Sequence, residues 1–259
     1  TNNHFLRSSK LINEKKYLHI PLVNKKNYII GLYMLDLLSD KKIDDTIFFI
    51  MAGGKGERLR PFTNSVPKPM IKISGKPMLE YVIEKAKNEG FYNIFISVNY
   101  LSDKIKNYFK KGQKYNIKIN YIEENKPLGT IGSIRLLDTK NSDNVIITNA
   151  DVYTKANYRD ILNFHNKTKS DLTLVVKEFL NEIPYGVVEL KGTKFIKIIE
   201  KPSKFEYINA GIYVIKSSLI KYIPKNKKFN SVELLEKLVS KNKKVRCYLS
   251  YEKWADIGS

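Results

Sequence analysis

Thr46-Ile47-Phe48-Phe49-Ile50-Met51-Ala52-Gly53-Gly54-Lys55-Gly56-Glu57-Arg58-Leu59-Arg60-Pro61 is the stretch on which the reading of this chain turns. Its opening run is apolar throughout, as a central strand of a parallel sheet covered on both faces must be. Three glycines follow at once, and without Cβ atoms they let backbone N–H groups approach and donate to a polyphosphate. This is not a P-loop, which needs Gly-Lys-Ser/Thr after four intervening residues. A dinucleotide fingerprint fails too, because Leu59 sits where its third glycine belongs. Arg58 and, in Pro67-Lys68-Pro69, Lys68 add two cations suited to a triphosphate. On these residues alone, a phosphate loop and an ordinary glycine turn with surface cations both remain open.

Outward from this stretch, strand-like runs alternate with helical patterns, the arrangement of an α/β domain with a mostly parallel sheet and helices on its faces. Met78 to Asn88 reads as a helix with Leu79, Val82, Ile83 and Ala86 on one stripe and Gly90 to stop it. A strand follows at Asn93 to Val98. Ser102 is placed to cap a helix running to about Lys110, and Ile117, Ile119 and Tyr121 alternate as a strand. A short helix near Ile131 to Leu137, a strand at Val145 to Thr148 and a helix around Tyr158 to Phe164 continue the pattern. Further runs at Leu172 to Lys177, Val187 to Leu190, Phe195 to Ile199 and Asn209 to Ile215 are more β-rich, with a hairpin turn at Lys191-Gly192-Thr193. Asn230 and Glu233 have the spacing of a capping box opening a last helix. Cys247, in a strand at Val245 to Leu249, reads as a buried small hydrophobe and leaves no partner for an internal disulfide.

The charge is the other conspicuous feature: 46 Lys and Arg against 26 Asp and Glu, +20 in 259 residues. Such a balance suits phosphate partners, but the lysines are spread through every segment rather than gathered in a stripe. We therefore expect a solvated basic surface that attracts small phosphorylated substrates, and no nucleic-acid partner. The longest apolar run, Thr46 to Ala52, is far short of the ~20 residues of a membrane-spanning helix, so we expect a soluble, cytoplasmic protein with no membrane partner. His4, His19 and His165 lack zinc-like spacing.

Residues 1–44 stand apart. They read as a helix ending near Lys16, strands at His19 to Val23 and Tyr28 to Leu32 around a turn at Asn24 to Asn27, and a short helix from Met34 to Leu38. The division expected is thus 1–44 and 45–259. Ile20-Pro21-Leu22-Val23-Asn24-Lys25-Lys26-Asn27-Tyr28-Ile29-Ile30-Gly31-Leu32 and its continuation resemble the second half of a CBS motif, a regulatory module that usually works in pairs. With a partial copy and an opening Thr1 in place of Met, we expect a missing upstream portion and a packing or linker role.

The phosphate-loop sequence Gly53-Gly54-Lys55-Gly56-Glu57-Arg58-Leu59-Arg60-Pro61 with Val66-Pro67-Lys68-Pro69-Met70 resembles the signature of the sugar-1-phosphate nucleotidylyltransferases. Further matches occur in that family's order: Gly75-Lys76-Pro77-Met78, Pro127-Leu128-Gly129-Thr130, Asn149-Ala150-Asp151, Tyr185-Gly186-Val187-Val188, Glu200-Lys201-Pro202, Asn209-Ala210-Gly211 and Trp254-Ala255-Asp256-Ile257-Gly258. Each tripeptide is weak alone; the ordered set is specific. The resemblance implies a three-layer, Rossmann-like nucleotidylyltransferase fold with a mixed, mainly parallel sheet. It implies that Ala52, Gly53, Gly54, Gly56, Gly129 and Thr130 bind the nucleotide and that Arg58 and Lys68 meet the transferring phosphates. Asp151 and Asp256 would hold one Mg2+, and Gly186, Glu200, Lys201, Asn209 and Gly211 would bind the sugar phosphate.

The partners implied are a nucleoside triphosphate and a sugar 1-phosphate, with self-association left open. Leu128-Gly129-Thr130-Ile131-Gly132 resembles the corresponding segment of mannose- and heptose-1-phosphate guanylyltransferases, which points to GTP. A CBS-like piece ahead of the domain resembles the guanylyltransferases that activate glucosamine 1-phosphate. Thymidylyl or uridylyl transfer to glucose 1-phosphate, and a silent regulatory subunit that binds nucleotide-sugars, are the alternatives. A silent subunit would have lost a metal aspartate or the Arg58 and Lys68 cations, and this chain keeps all four.

Overall fold

The computed structural model describes residues 19–24, 27–34 and 46–257. By contacts the chain divides into two units, residues 1–43 and 44–259. The described part of the first is a hairpin in which β1 (His19–Val23) pairs antiparallel with β2 (Ile29–Met34). The Tyr28 N–H donates to the Asn24 side chain at 3.1 Å and closes the turn. Because β2 runs on to Met34, the residue expected to open a helix ends a strand instead, in a segment whose Ile29, Ile30 and Tyr33 favour extended backbone. The two expected helices otherwise lie outside the described residues.

The second unit is built on a seven-stranded sheet. Its first strand, β3 (Thr46–Met51), is the apolar run that leads into the glycine loop. A two-residue hairpin, β4 (Lys72–Ile73) and β5 (Lys76–Pro77), leads into helix α1 (Met78–Asn88). Then come β6 (Asn93–Val98), α2 (Ser102–Phe109), β7 (Lys118–Glu123), β8 (Asn144–Asn149), the short β9 (Val152–Thr154) and α3 (Tyr158–Lys167). The antiparallel part follows as β10 (Leu172–Glu182), β11 (Val187–Lys191), β12 (Lys194–Ile199) and β13 (Ser203–Lys216), before α4 (Ser231–Ser240), β14 (Val245–Ser250) and β15 (Trp254–Asp256). The sheet order is β14-β10-β13-β8-β3-β6-β7, and β13 alone runs against the rest.

Alternation along β3 sorts the core into two layers. Ile47 and Phe49 join Ile147, Tyr213, Leu234 and Leu238 under α4. Phe48 points the other way, onto Phe91 after α1 and Tyr158 at the start of α3, with ring centroids 5.4 and 4.9 Å away. Helices therefore cover both faces. The α1 stripe Leu79, Val82, Ile83 and Ala86 is buried, and Gly90 follows the helix with φ 88°. The α4 capping box forms as its spacing requires, and the Asn157 side chain caps α3 by accepting from two backbone N–H groups. No helix among the described residues is long and apolar enough to cross a membrane.

Three local expectations change. Ser102 is the first helical residue rather than the cap; Leu101, left-handed at φ 49°, takes that place with no side-chain bond. The segment 131–137 contains a 3-10 turn, Gly132–Leu136, too short for an α-helix. Cys247 is exposed, because β14 is the sheet's edge strand and only part of it is covered.

His165 on α3 is 1% exposed, its Nδ1 2.9 Å from the Thr173 hydroxyl of β10. Burial, helped by Lys216, pushes its pKa down to about 4. The folded value lies below that of the unfolded chain, so the associated stability is complete above pH ~6.5 and is lost as pH falls toward 4. Between pH 7 and pH 5 this group alone should remove about 2 kcal/mol. Denaturant melts at the two pH values should show that loss, and His165→Gln should flatten it; an unchanged pH dependence in the variant would clear His165.

Candidate active site

Parallel strands deliver their C-terminal ends to one edge of the sheet, which is where open α/β folds place ligands. Here the ends of β3, β6 and β8 bring Ala52, Ser97, Ala150 and Asp151 to a cleft of ≈480 Å³, closed on its far side by the loop after β7. Of the residues expected to bind nucleotide, Ala52, Gly53, Gly54, Gly129 and Thr130 line it, together with Lys68 and Asp151.

The glycine loop is held by close approach. Gly56 is left-handed at φ 63°, and a Cβ there would stand 2.9 Å from Cβ of Lys68. Thr63 donates its hydroxyl to the Gly56 carbonyl at 2.9 Å. The loop and the Pro67-Lys68-Pro69 turn are thus pressed together. Gly129, at φ 82°, packs against the start of α4, where an added Cβ would lie 2.6 Å from the Phe229 carbonyl oxygen. Backbone bonds from Phe229 to Leu128 and from Ile131 to Phe229 fasten the two segments. The Thr130 hydroxyl accepts from the Ser231 N–H at 2.9 Å, so its side chain also serves the helix start.

Electrostatics centre on Lys68. Its ammonium donates to Asp151, and Asp256 lies 3.8 Å from the same nitrogen. Asp256 arrives because β15 pairs antiparallel with β9, setting Asp256 opposite Val152, and the Ile257 N–H donates to the Asp151 carbonyl at 3.0 Å. Trp254 pins that strand by donating from its indole N–H to Ala210 at 2.9 Å. Residues more than a hundred positions apart are thereby joined at one cation.

The remaining expected residues stand elsewhere. Arg58 is exposed in the 3-10 turn Glu57–Leu59 and does not line the cleft. Gly186 and Glu200 meet each other, an added Cβ on Gly186 falling 2.8 Å from a Glu200 oxygen, but they and the exposed Lys201 sit outside the cleft, on the arm that residues 178–207 form where β10 runs past its partner β14 and β13 past its partner β8. Asn209 shapes backbone: its side chain accepts from the Gly211 N–H at 2.8 Å and donates to the Tyr213 hydroxyl at 2.6 Å. That closes a bulge in which Ala210 to Ile212 face Val175 alone. Gly211 then abuts Asn149, a cleft residue.

Sequence reasoning missed Glu124, Ser133, Lys228 and Asn230, all of which line the cleft. Glu124 is 8% exposed, accepts from the Leu128 N–H at 3.0 Å, and lies against Gly53, where a Cβ would come within 2.6 Å of its Oε1. Burial pushes its carboxyl above the ordinary value, opposed by the Leu128 N–H and the Ser133 and Ser97 hydroxyls. Its proximity to the Pro127-Leu128-Gly129-Thr130 segment was the available signal.

Residues 48–259 match the family model described as nucleotidyl transferase. The chain belongs to the nucleotidyl transferase family. A UTP–glucose-1-phosphate uridylyltransferase from Synechocystis is 30% identical over 229 residues, 81% of this chain and 59% of that protein. A mannose-1-phosphate guanyltransferase from Aspergillus oryzae is 33% identical over 183 residues, covering 67% of this chain and 50% of its own length. The chain thus spans between half and three-fifths of these curated relatives. Among solved nucleotidyl transferase-like structures, that of HddC from Yersinia pseudotuberculosis complexed with GMP-PN superposes with TM-score 0.65 at 28% identity, covering 82% of this chain and 94% of that one. The sheet and helices of this family member therefore agree with the nucleotidylyltransferase fold expected from its motifs, and the family model begins at residue 48, after the segment with the CBS resemblance.

In this family member, Gly56→Ala should cost about 1–2 kcal/mol of stability, since the new Cβ meets both a positive φ and the Lys68 side chain. Gly54→Ala, where nothing lies within 4 Å of the new atom, should change stability by less than ~0.5 kcal/mol. Urea melts of the two variants check this; equal losses would remove the packing argument.

Proposed function

We propose that the chain transfers a guanylyl group from GTP to a hexose or hexosamine 1-phosphate, such as glucosamine 1-phosphate, and releases pyrophosphate, in the cytoplasm where such substrates are made. The observation that carries the reading is the meeting of Lys68, Asp151 and Asp256 beside the glycine loop. Two carboxylates gathered where a triphosphate must lie would repel it unless a cation stood with them.

A divalent cation fits that place. The donors are hard carboxylate oxygens already drawn to one positive charge, and among the described residues they form no cluster of three or more protein ligands. Mg2+ suits such a pair, since it takes one or two carboxylates together with substrate phosphates. Bound there by Asp151 and Asp256, it would supply neutralisation of phosphate charge.

The chain's own residues do the rest. Backbone N–H groups of the Gly53–Gly56 loop hold the triphosphate, and Lys68, released from Asp151, turns its ammonium to the phosphates. An oxygen of the sugar 1-phosphate attacks the α-phosphorus as the bond to pyrophosphate breaks. That oxygen is already anionic, so no strong general base is needed, and catalysis consists of positioning and charge stabilisation. Glu200 and Lys201 reach the sugar hydroxyls and phosphate from the arm, which must approach the cleft for them to do so.

Glu124 supports guanine. Its buried carboxylate accepts only, and its orientation is fixed by the Leu128 N–H. Guanine presents two adjacent donors, N1–H and the N2 amine, to such an acceptor. Uracil and thymine present one N–H between two carbonyls that a carboxylate would repel, and adenine and cytosine pair an amine with a ring acceptor. The guanyltransferase relatives and the HddC complex with GMP-PN agree with this choice; the uridylyltransferase relative is the alternative.

Pyrophosphate release across four nucleoside triphosphates and several sugar 1-phosphates should favour GTP, and a clear preference for UTP or dTTP would overturn the guanylyl assignment. In the same assay Glu124→Gln should lower kcat/KM for GTP by roughly tenfold to a hundredfold, the worth of a lost charge-assisted bond, while the pyrimidine nucleotides lose far less. Asp151→Asn and Asp256→Asn should each depress turnover by orders of magnitude and weaken Mn2+ binding measured by calorimetry. Undiminished Mn2+ affinity in both would remove the metal from this pair.

A further inference from the structure

Glu124 accounts for two adjacent donors of guanine and leaves the neighbouring atom unserved. With N1–H and the N2 amine on a carboxylate, O6 stands beside them as an acceptor, and an acceptor taken out of water without a donor is costly. Adenine differs at this position, where it carries an amine. A donor held there in a fixed direction would read the base a second time.

Asn230 meets that requirement. It lines the cleft, and two backbone N–H groups donate to its side chain, that of Thr130 at 3.3 Å and that of Glu233 in the capping box of α4. Only the amide oxygen can accept from both. Gly129 allows the close approach, since a Cβ there would stand 2.8 Å from that oxygen. The amide nitrogen is thereby turned away from the backbone, and among the described residues it meets no acceptor. Lys228 also lines the cleft, but it is exposed, and its ammonium sits on a long rotatable stem that fixes no direction. The Leu128 N–H that orients Glu124 and the Thr130 N–H that orients Asn230 are two residues apart in the chain. Two residues reach at most ~7 Å, a span that one purine can bridge.

Resting on the guanylyl transfer proposed above, we infer that Asn230 is a second specificity-determining residue, its Nδ2 donating to O6 of guanine. One side chain does both tasks, because the bonds that cap α4 are those that aim the amine. Glu124 selects for the adjacent donors of guanine; Asn230 selects against a base that presents an amine where guanine has O6.

Asn230→Ser keeps an oxygen at the cap, where Ser and Asn rank alike, and removes the amine. Initial rates of the full chain with GTP, inosine triphosphate and 6-thioguanosine triphosphate separate the two residues. Inosine lacks only the N2 amine that faces Glu124, and 6-thioguanosine replaces O6 by sulfur, a poor acceptor. Wild type should use GTP roughly tenfold better, in kcat/KM, than the thio analogue. In Asn230→Ser that ratio should fall to near one through loss with GTP, while the ratio of GTP to inosine triphosphate and the urea midpoint stay at their wild-type values. Asn230→Asp keeps the cap and sets a second acceptor against O6, so its loss with GTP should be larger, roughly a hundredfold. A cap with no part in recognition would lower all three rates in proportion and leave both ratios unchanged, which would overturn the assignment, as would a wild type indifferent to the sulfur or a variant in which both ratios collapse together. A wild type that prefers UTP or dTTP is a separate failure, visible before any substitution, and would take the guanylyl reading down with this one.

Discussion

One ammonium holding two carboxylates is the interaction on which the site depends. Unit charges of like sign 4 Å apart repel by about 4 kcal/mol at an effective dielectric near 20, and Asp151 and Asp256 both approach Lys68 in a partly shielded place. The convergence is a product of topology. Asp151 stands where β8 ends, so its position follows from the central sheet; Asp256 is carried in by β15, whose pairing partner β9 begins one residue after Asp151. Lys68 in turn is seated by Gly56, whose missing Cβ leaves room for the Lys68 stem. Sheet, return strand and glycine loop each contribute one member.

The same dependence explains what could be read from the sequence. Thr46–Met51, Asn93–Val98 and Met78–Asn88 were legible to the residue because buried parallel strands are apolar throughout and an amphipathic helix repeats its stripe. The Asn230/Glu233 capping box was legible because its chemistry is local. The β9–β15 pair was not, since three-residue strands carry no period and are formed by a partner a hundred residues away. Nor was the role of Asn209, whose side-chain bonds close a bulge visible only once β10 and β13 are in register.

Other departures have the same origin. Cys247 looked like core because strands usually alternate into one, but β14 is an edge strand, and an edge leaves room for an exposed residue. Val187 to Leu190 and Phe195 to Ile199 read as a hairpin and form one, but that pattern did not show that, pairing only with each other, they are exposed along their whole length. Glu124 reads as one of many charged residues in the sequence, and only its burial beneath Gly53 and its bond from Leu128 distinguish it.

That burial links recognition to chemistry. Gly53 approaches Glu124 so closely that a methyl group would not fit between them, and the backbone of the same loop runs on to Gly56 and its contact with Lys68. In the reaction we propose, the carboxylate that meets the base and the cation that meets the phosphates are thus joined through the four residues Gly53 to Gly56, which are pinned at both ends. A base that fails to satisfy Glu124 leaves a buried acceptor uncompensated, at a cost of about 1–3 kcal/mol. Because the carboxylate cannot retreat without moving Gly53, part of that strain passes to the loop proposed to hold the triphosphate. Under the proposed guanylyl transfer, selectivity built this way would act on turnover as well as on binding, since misplacement of the loop would also displace the phosphates from the nucleophile's line of attack.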